Sequence, residues 1–269
     1  MFEIEEQKVY LSDCRDLSEL EKSIDFIFTS PPYWNLKKYG GPDSTVGETD
    51  YEQYLADMNK VWDECFRISN DNAVLAVNIN IRRHKKRLYP IPFDIVSRMK
   101  QWTLWDINIW HIPNALPQCK SYMERLLDNK FEYILIFVKN LDYHFSKPRV
   151  PQKYIEIDPR ANKNEKGRCL GNIIRIPAYR PPNIKKMNYH VAAFPEELVA
   201  FYLQLYTSPK NMVLDPFLGS GTTLKVCRIM GRNGIGYEII DKYEDLIKAR
   251  IMENWTPPDW RDLDILSSK

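Results

Sequence analysis

Asn211-Met-Val-Leu-Asp-Pro-Phe-Leu-Gly-Ser-Gly-Thr-Thr223 is the stretch on which the reading of the fold turns. Asn211–Leu214 has the apolar character of a short buried strand, and Thr222–Met230 has helical spacing. Between them, Gly219 and Gly221 let the backbone turn tightly and approach a ligand with no Cβ in the way. Asp215 stands at the carboxyl end of the strand, where open α/β sheets bind their ligands, and a carboxylate there suits a cationic amine. The candidate cofactor residues of this loop are Asp215, Phe217, Gly219, Ser220, Gly221 and Thr222. A phosphate loop would need a lysine after Gly221, and none is present. The dinucleotide fingerprint fails at its last glycine, because position 224 is leucine. The next strand, Asn233–Glu238, ends on Glu238, 17 residues beyond Gly221, where an acid commonly binds ribose hydroxyls.

Outward from this loop, strands and helices alternate. Strands are expected at Lys8–Ser12, Ile24–Thr29, Ala73–Ile79, Thr103–Trp110 and Phe131–Val138. Helices are expected over Asp16–Lys22, Tyr51–Ile68, Pro92–Trp102, Phe194–Leu205 and Asp241–Glu253. Asn35–Asp50 and the basic cluster Arg82–Arg87 read as loops. The alternation implies an α/β fold with a doubly wound, mainly parallel sheet.

A second motif ends the Ile24–Thr29 strand: Thr29-Ser-Pro-Pro-Tyr-Trp34. Pro31 and Pro32 fix a stiff, extended turn able to aim a carbonyl outward. Ser30 adds a hydroxyl and Tyr33 a ring face. Together they form a hydrogen-bonding and stacking clamp for a planar ring that bears an amino group. Such a nitrogen is a poor nucleophile while its lone pair is delocalised into the ring. Acceptors on its N–H bonds would draw it toward tetrahedral geometry, so the catalysis would be positioning plus electrostatics. Ser30, Pro31, Pro32 and Tyr33 are the catalytic candidates, with Ser30 an acceptor rather than a nucleophile.

Charge is unevenly spread. The chain of 269 residues is only +2 overall, yet residues 140–188 hold 11 Lys/Arg against 4 acidic side chains. That stretch has weak periodicity and several prolines, and a polyanion would be drawn to it. The five cysteines, at 14, 65, 119, 169 and 227, include no CxxC pair, so no metal site is expected. No apolar run approaches the ~20 residues of a membrane span, and the cysteine pattern fits a reducing, cytoplasmic setting.

With both motifs in place, the sequence resembles the beta group of DNA amino-methyltransferases, the restriction–modification methylases in which the catalytic motif precedes the cofactor motif. TSPPYW resembles the catalytic motif in its cytosine-N4 form and DPFLGSGTT the cofactor motif. The resemblance extends to VYLSDC, which brings in Asp13 and Cys14 beside the cofactor adenine, and to GYEI with Glu238. It also covers WHIPN at Trp110, FEYILIFVK, and the HxxxFP segment from His190, which brings in Phe194 and Pro195; Thr29 joins the cofactor set. It implies S-adenosylmethionine as cofactor, duplex DNA as substrate with base flipping, and a seven-stranded, circularly permuted methyltransferase sheet. Residues 1–139 would form the catalytic half, 140–188 a target-recognition insertion and 189–269 the cofactor half. A monomer or homodimer, with a cognate restriction endonuclease in the same system, fits this picture. Adenine-N6 methylation, an RNA or protein substrate, and a non-catalytic DNA-recognition subunit of the same fold remain alternatives. Ser30 tilts the base toward cytosine, since the adenine enzymes usually carry Asp or Asn there.

Overall fold

The computed structural model describes residues 1–35, 46–117, 124–150, 167–179 and 193–260. The chain begins with a hairpin of β1 (Phe2–Ile4) and β2 (Gln7–Tyr10), followed by β3 (Ile24–Thr29). Helix α1 (Tyr51–Ile68) leads directly into β4 (Ser69–Ile79). A small hairpin, β5 (Arg82–His84) and β6 (Arg87–Tyr89), precedes α2 (Ile91–Arg98), β7 (Thr103–His111) and β8 (Phe131–Val138). Then come β9 (Arg149–Val150), β10 (Arg168–Cys169) and β11 (Ile173–Arg175). The last part holds α3 (Glu196–Tyr206), β12 (Met212–Asp215), α4 (Thr222–Ile229), β13 (Asn233–Tyr237) and α5 (Glu244–Met252).

Nine strands form the main sheet, in the order β1-β2-β13-β12-β3-β4-β8-β7-β11. The strands β2, β13, β12, β3 and β4 run parallel, and β8 is antiparallel to both its neighbours. The expected seven strands are therefore joined by two edge additions, β1 and β11. The first folds back on β2 as a hairpin, and the second comes from the 140–188 stretch and pairs with β7. The late strands β12 and β13 lie between the early strands β2 and β3, so the order reverses between β12 and β3. Open α/β sheets form their ligand crevice at such a switch point.

Both faces of the sheet are covered, which explains the near-continuous apolar runs. Side chains alternate between faces with a period of two. Leu75, Val77, Leu135 and Phe137 pack with Tyr54, Met58 and Trp62 of α1. Phe26, Phe28, Val74, Ala76, Ile134 and Ile136 face α3, where Leu198, Phe201 and Tyr202 meet them. Each fully buried side chain of this size contributes roughly 1.5–3 kcal/mol. Helix α1 starts where Asp50 accepts the Gln53 N–H at 3.0 Å, a side-chain N-cap.

Two expectations fail for physical reasons. Asp16–Lys22 is not a helix but a pair of turns. Its backbone groups find partners on α1 instead: Glu64 accepts the Leu17 N–H, and Arg67 donates to the Leu17 and Leu20 carbonyls. Arg82–Arg87 is not a loop but most of the β5–β6 hairpin, turning at Lys85 and Lys86. Helix α3 also begins at Glu196 rather than Phe194, so Pro195 is its N-cap rather than a residue of its first turn. Residues 36–45 of the Asn35–Asp50 loop, residues 151–166 and 180–192 of the basic stretch and the HxxxFP segment, and Cys119 lie outside the described residues.

Candidate active site

The two sequence motifs meet across the switch point. Thr29, the last residue of β3, donates its hydroxyl to Asp215 Oδ1 at 2.7 Å, although 186 residues separate them. Thr223 donates to Asp215 Oδ2 at 2.6 Å, and the Phe217 N–H reaches Oδ1 at 3.1 Å. Asp215 is fully buried. Burial pushes its carboxyl up to about 6, against the pull of these hydrogen bonds. Its oxygens are thus engaged within the protein, and the carboxylate ties the catalytic strand to the glycine loop.

That loop is shaped by backbone geometry. Gly219 and Gly221 have φ of 57° and 94°, left-handed values that side chains resist. Gly221 is the N-cap residue of α4, and Ser220 and Thr222 are buried with their hydroxyls 3.4 Å apart. Phe217 packs edge-on against Trp62. Glu238, one residue beyond β13, accepts the Gly219 N–H and the Ile240 N–H, each at 2.9 Å. Burial pushes its carboxyl up to about 7. A carboxylate offers about four lone-pair sites, so Glu238 retains capacity for ligand hydroxyls. On the neighbouring strand, the Tyr10 carbonyl accepts the Glu238 N–H, which brings the β2 end beside Glu238. Cys14 is buried there, and burial, with nearby Cys65, Asp13 and Glu238, raises its thiol. Asp13 is paired with the Arg15 guanidinium. The donor set of this crevice is three carboxylates at the ends of adjacent parallel strands. It fits a cationic, hydroxyl-bearing ligand and repels phosphate.

On the other side of β3 lies a cavity of about 210 Å³. Ser30, Pro31, Tyr33 and Phe194 line it, together with residues that were not among the site candidates, notably Asn78, Glu132 and Trp110. The Asn78 amide nitrogen sits among three oxygens: Glu132 Oε2 at 2.8 Å, Ser30 Oγ at 3.4 Å and Tyr33 Oη at 3.5 Å. Tyr33 also donates to Glu132 Oε2 at 2.6 Å, which fixes the ring. Because the amide nitrogen must face the carboxylate, the Asn78 oxygen points the other way. That oxygen is buried and has no hydrogen-bond partner. Burial raises the Glu132 carboxyl, while Tyr33 and Asn78 pull it back. Phe194, expected at the cofactor, lies edge-on to Phe28 at 5.3 Å and faces this cavity as well. Pro32 flanks the motif but does not line the cavity. Asn78 and Glu132 each carried a signal: Asn78 interrupts the buried apolar run Ala73–Ile79, and Glu132 is the one charged residue of β8. Among the described residues no cluster of metal-ligating side chains occurs, and no helix is long and apolar enough to cross a membrane.

Known proteins share this fold. The type II methyltransferase M.SmaI of Serratia marcescens is 27% identical over 91% of this chain and 90% of its own. M.MjaI of Methanocaldococcus jannaschii gives the same identity and coverage. Among solved structures, PvuII DNA methyltransferase (cytosine-N4-specific) superposes with a TM-score of 0.70 at 20% identity, over 93% of this chain and 88% of its own. A Thermus thermophilus chain, described as a DNA modification methylase and complexed with S-adenosyl-L-methionine, superposes with a TM-score of 0.64 at 27% identity, covering 91% and 93%. The N6/N4 DNA methylase family matches residues 24–249, spanning both motifs and every strand between them, and the chain belongs to that family.

Proposed function

We propose that this DNA methyltransferase transfers a methyl group from S-adenosylmethionine to the N4 amino group of cytosine in duplex DNA, as the modification enzyme of a restriction–modification system. The observation that carries the reading is the Asn78–Glu132–Ser30–Tyr33 cluster beside a small cavity: Glu132 holds the Tyr33 ring, and Ser30 Oγ has only a 3.4 Å contact, from the Asn78 amide nitrogen. An exocyclic amino group would supply a donor to Ser30 Oγ. The cavity is well below the roughly 300 Å³ at which drug-sized pockets begin, which suits a single flipped base.

S-adenosylmethionine, when bound, supplies an electrophilic methyl group on a sulfonium. Glu238 would hold its ribose hydroxyls, the loop Gly219–Gly221 would border it, and Asp215 would favour its cationic groups at short range. Cys14 and Asp13 flank the same crevice. In the cavity, Tyr33 stacks on a flipped base, with its ring held by Glu132. Ser30 Oγ and a carbonyl of the Pro31–Pro32 turn accept from the amino group and direct its lone pair toward the β3–β12 boundary. The methylated nitrogen is acidic, and the Glu132 carboxylate stands ready to take its proton. The short Ser30 hydroxyl supports cytosine over adenine. The basic 140–188 stretch would supply target recognition, and its described part includes β11 on the outer sheet edge.

Incubation with S-adenosylmethionine and duplex DNA, followed by nucleoside mass spectrometry, is expected to yield N4-methylcytosine. N6-methyladenine would overturn the choice of base. No methylation of DNA alongside methylation of RNA would overturn the substrate.

A further inference from the structure

Outside the active site, the β5–β6 hairpin breaks the usual rules of turn chemistry. Its two central residues, Lys85 and Lys86, have φ of 46° and 67°. Two left-handed residues between paired strands make a type I′ turn, a place for Asn-Gly because a Cβ is strained there. Instead it holds two exposed lysines, within the run Arg82-Arg-His-Lys-Lys-Arg87, which has no acidic residue. Among the described residues, no carboxylate forms an ion pair with Arg83, Lys85, Lys86 or Arg87. A local rule broken without a local gain marks a candidate functional feature.

The hairpin is also held in one place. Arg82 donates to the Asn35 carbonyl at 3.0 Å. The Trp34 ring packs against Tyr89 and His84, at 4.4 and 5.3 Å between centroids. Trp34 directly follows Tyr33, so the positive turn is braced against the segment that carries the clamp.

We infer that the β5–β6 hairpin is a phosphate-backbone contact for duplex DNA, with Lys85 and Lys86 at its tip and its brace on Trp34 setting the duplex beside the cavity. The inference rests on the DNA-methyltransferase reading. A hairpin with three paired residues on each side projects its tip about 10 Å, comparable to the Debye length at physiological salt. Its charges therefore act on a backbone that touches the tip and little on one that lies farther away.

The strained turn supplies a discriminating variant. Lys85→Asn/Lys86→Gly removes both charges and gives the turn the residues its geometry favours, so folding is preserved. Binding to a mixed-sequence duplex oligonucleotide should weaken about tenfold at moderate salt, and the slope of log K against log salt should fall by about 1.8, or ~0.9 per lost phosphate contact. The melting temperature should match or exceed that of the unsubstituted protein, and S-adenosylmethionine affinity should not change. Unchanged duplex affinity and salt slope in the variant, with the unsubstituted protein methylating DNA, would overturn the hairpin's role and leave the enzymatic reading intact. Failure of the unsubstituted protein to bind or methylate duplex DNA would overturn both.

Discussion

The two sides of β3 satisfy their polar groups in opposite ways. On the β12 side, Asp215 has Thr29, Thr223 and the Phe217 amide, and Glu238 has two loop amides. On the β4 side, the Asn78 oxygen is buried with nothing to accept from, and Ser30 has only a long contact. An unsatisfied buried acceptor costs about 1–3 kcal/mol. The β12 side is thus paired before any ligand arrives, whereas on the β4 side Ser30 Oγ keeps capacity that, under the proposed function, a target amino group would take up. A site that binds one reactant throughout its cycle gains from pre-organisation. A site that must select one base gains from leaving its acceptors unmet until the right donors enter.

The sharpest way to break this contrast is to remove the central carboxylate. Asp215→Ala would strand two hydroxyls and an amide in the core, and should lower stability by about 3 kcal/mol, read from denaturant unfolding. Asp215→Asn keeps an acceptor without the charge. It should leave the ligand-free protein at least as stable at pH 8 while weakening S-adenosylmethionine binding, measured by calorimetry. If both variants bound the cofactor normally, Asp215 would be a structural strut and nothing more.

The pH dependence follows from the same carboxylates. In the fold, Asp215 and Glu238 rise to about 6 and about 7, above their unfolded values. Their contribution is therefore most favourable below about pH 4 and is lost as pH rises through 6 and 7, by a few kcal/mol in all. A cationic ligand favours the ionised forms. The rise in melting temperature produced by S-adenosylmethionine should accordingly grow between pH 5.5 and 8, and a pH-independent rise would contradict the assignment of these acids.

Smaller effects test the base side. Tyr33→Ala should cut kcat/KM about 10- to 100-fold through lost stacking, with cofactor affinity unchanged. Tyr33→Phe keeps the ring and removes the hydroxyl with its hydrogen bond to Glu132, so a loss of about 3- to 10-fold is expected in single-turnover rates. Equal losses for the two substitutions would show that the hydroxyl, not the ring face, is the working part.

Much of this architecture was legible because each signal was local. Ile24–Thr29, Tyr51–Ile68 and Phe131–Val138 have the bounds their periodicity indicates. The glycine loop and the Pro-Pro turn announced their backbone needs directly. What stayed hidden depended on partners distant in sequence. The turns at Asp16–Lys22 are held by Glu64 and Arg67 of α1, which propensity cannot see. The lysine-rich hairpin read as a loop because it lacks the glycine such turns favour. Asn78 and Glu132 looked like blemishes in apolar strands. They become a site only because β4 and β8 are neighbours, with Asn78 opposite Ile134, two residues along from Glu132.

The Thr29–Asp215 hydrogen bond spans 186 residues of chain, and this has a consequence for synthesis. Strand β3 emerges from the ribosome early but can acquire its β12 neighbour only after Asp215 has been made. At about 5–20 residues per second, that is a wait of roughly 10 to 40 seconds. Throughout it, one long edge of β3 is unpaired. The growing polypeptide therefore has the residues of the Pro-Pro turn long before it has those of the glycine loop, and the two motifs can meet only after most of the chain has been made.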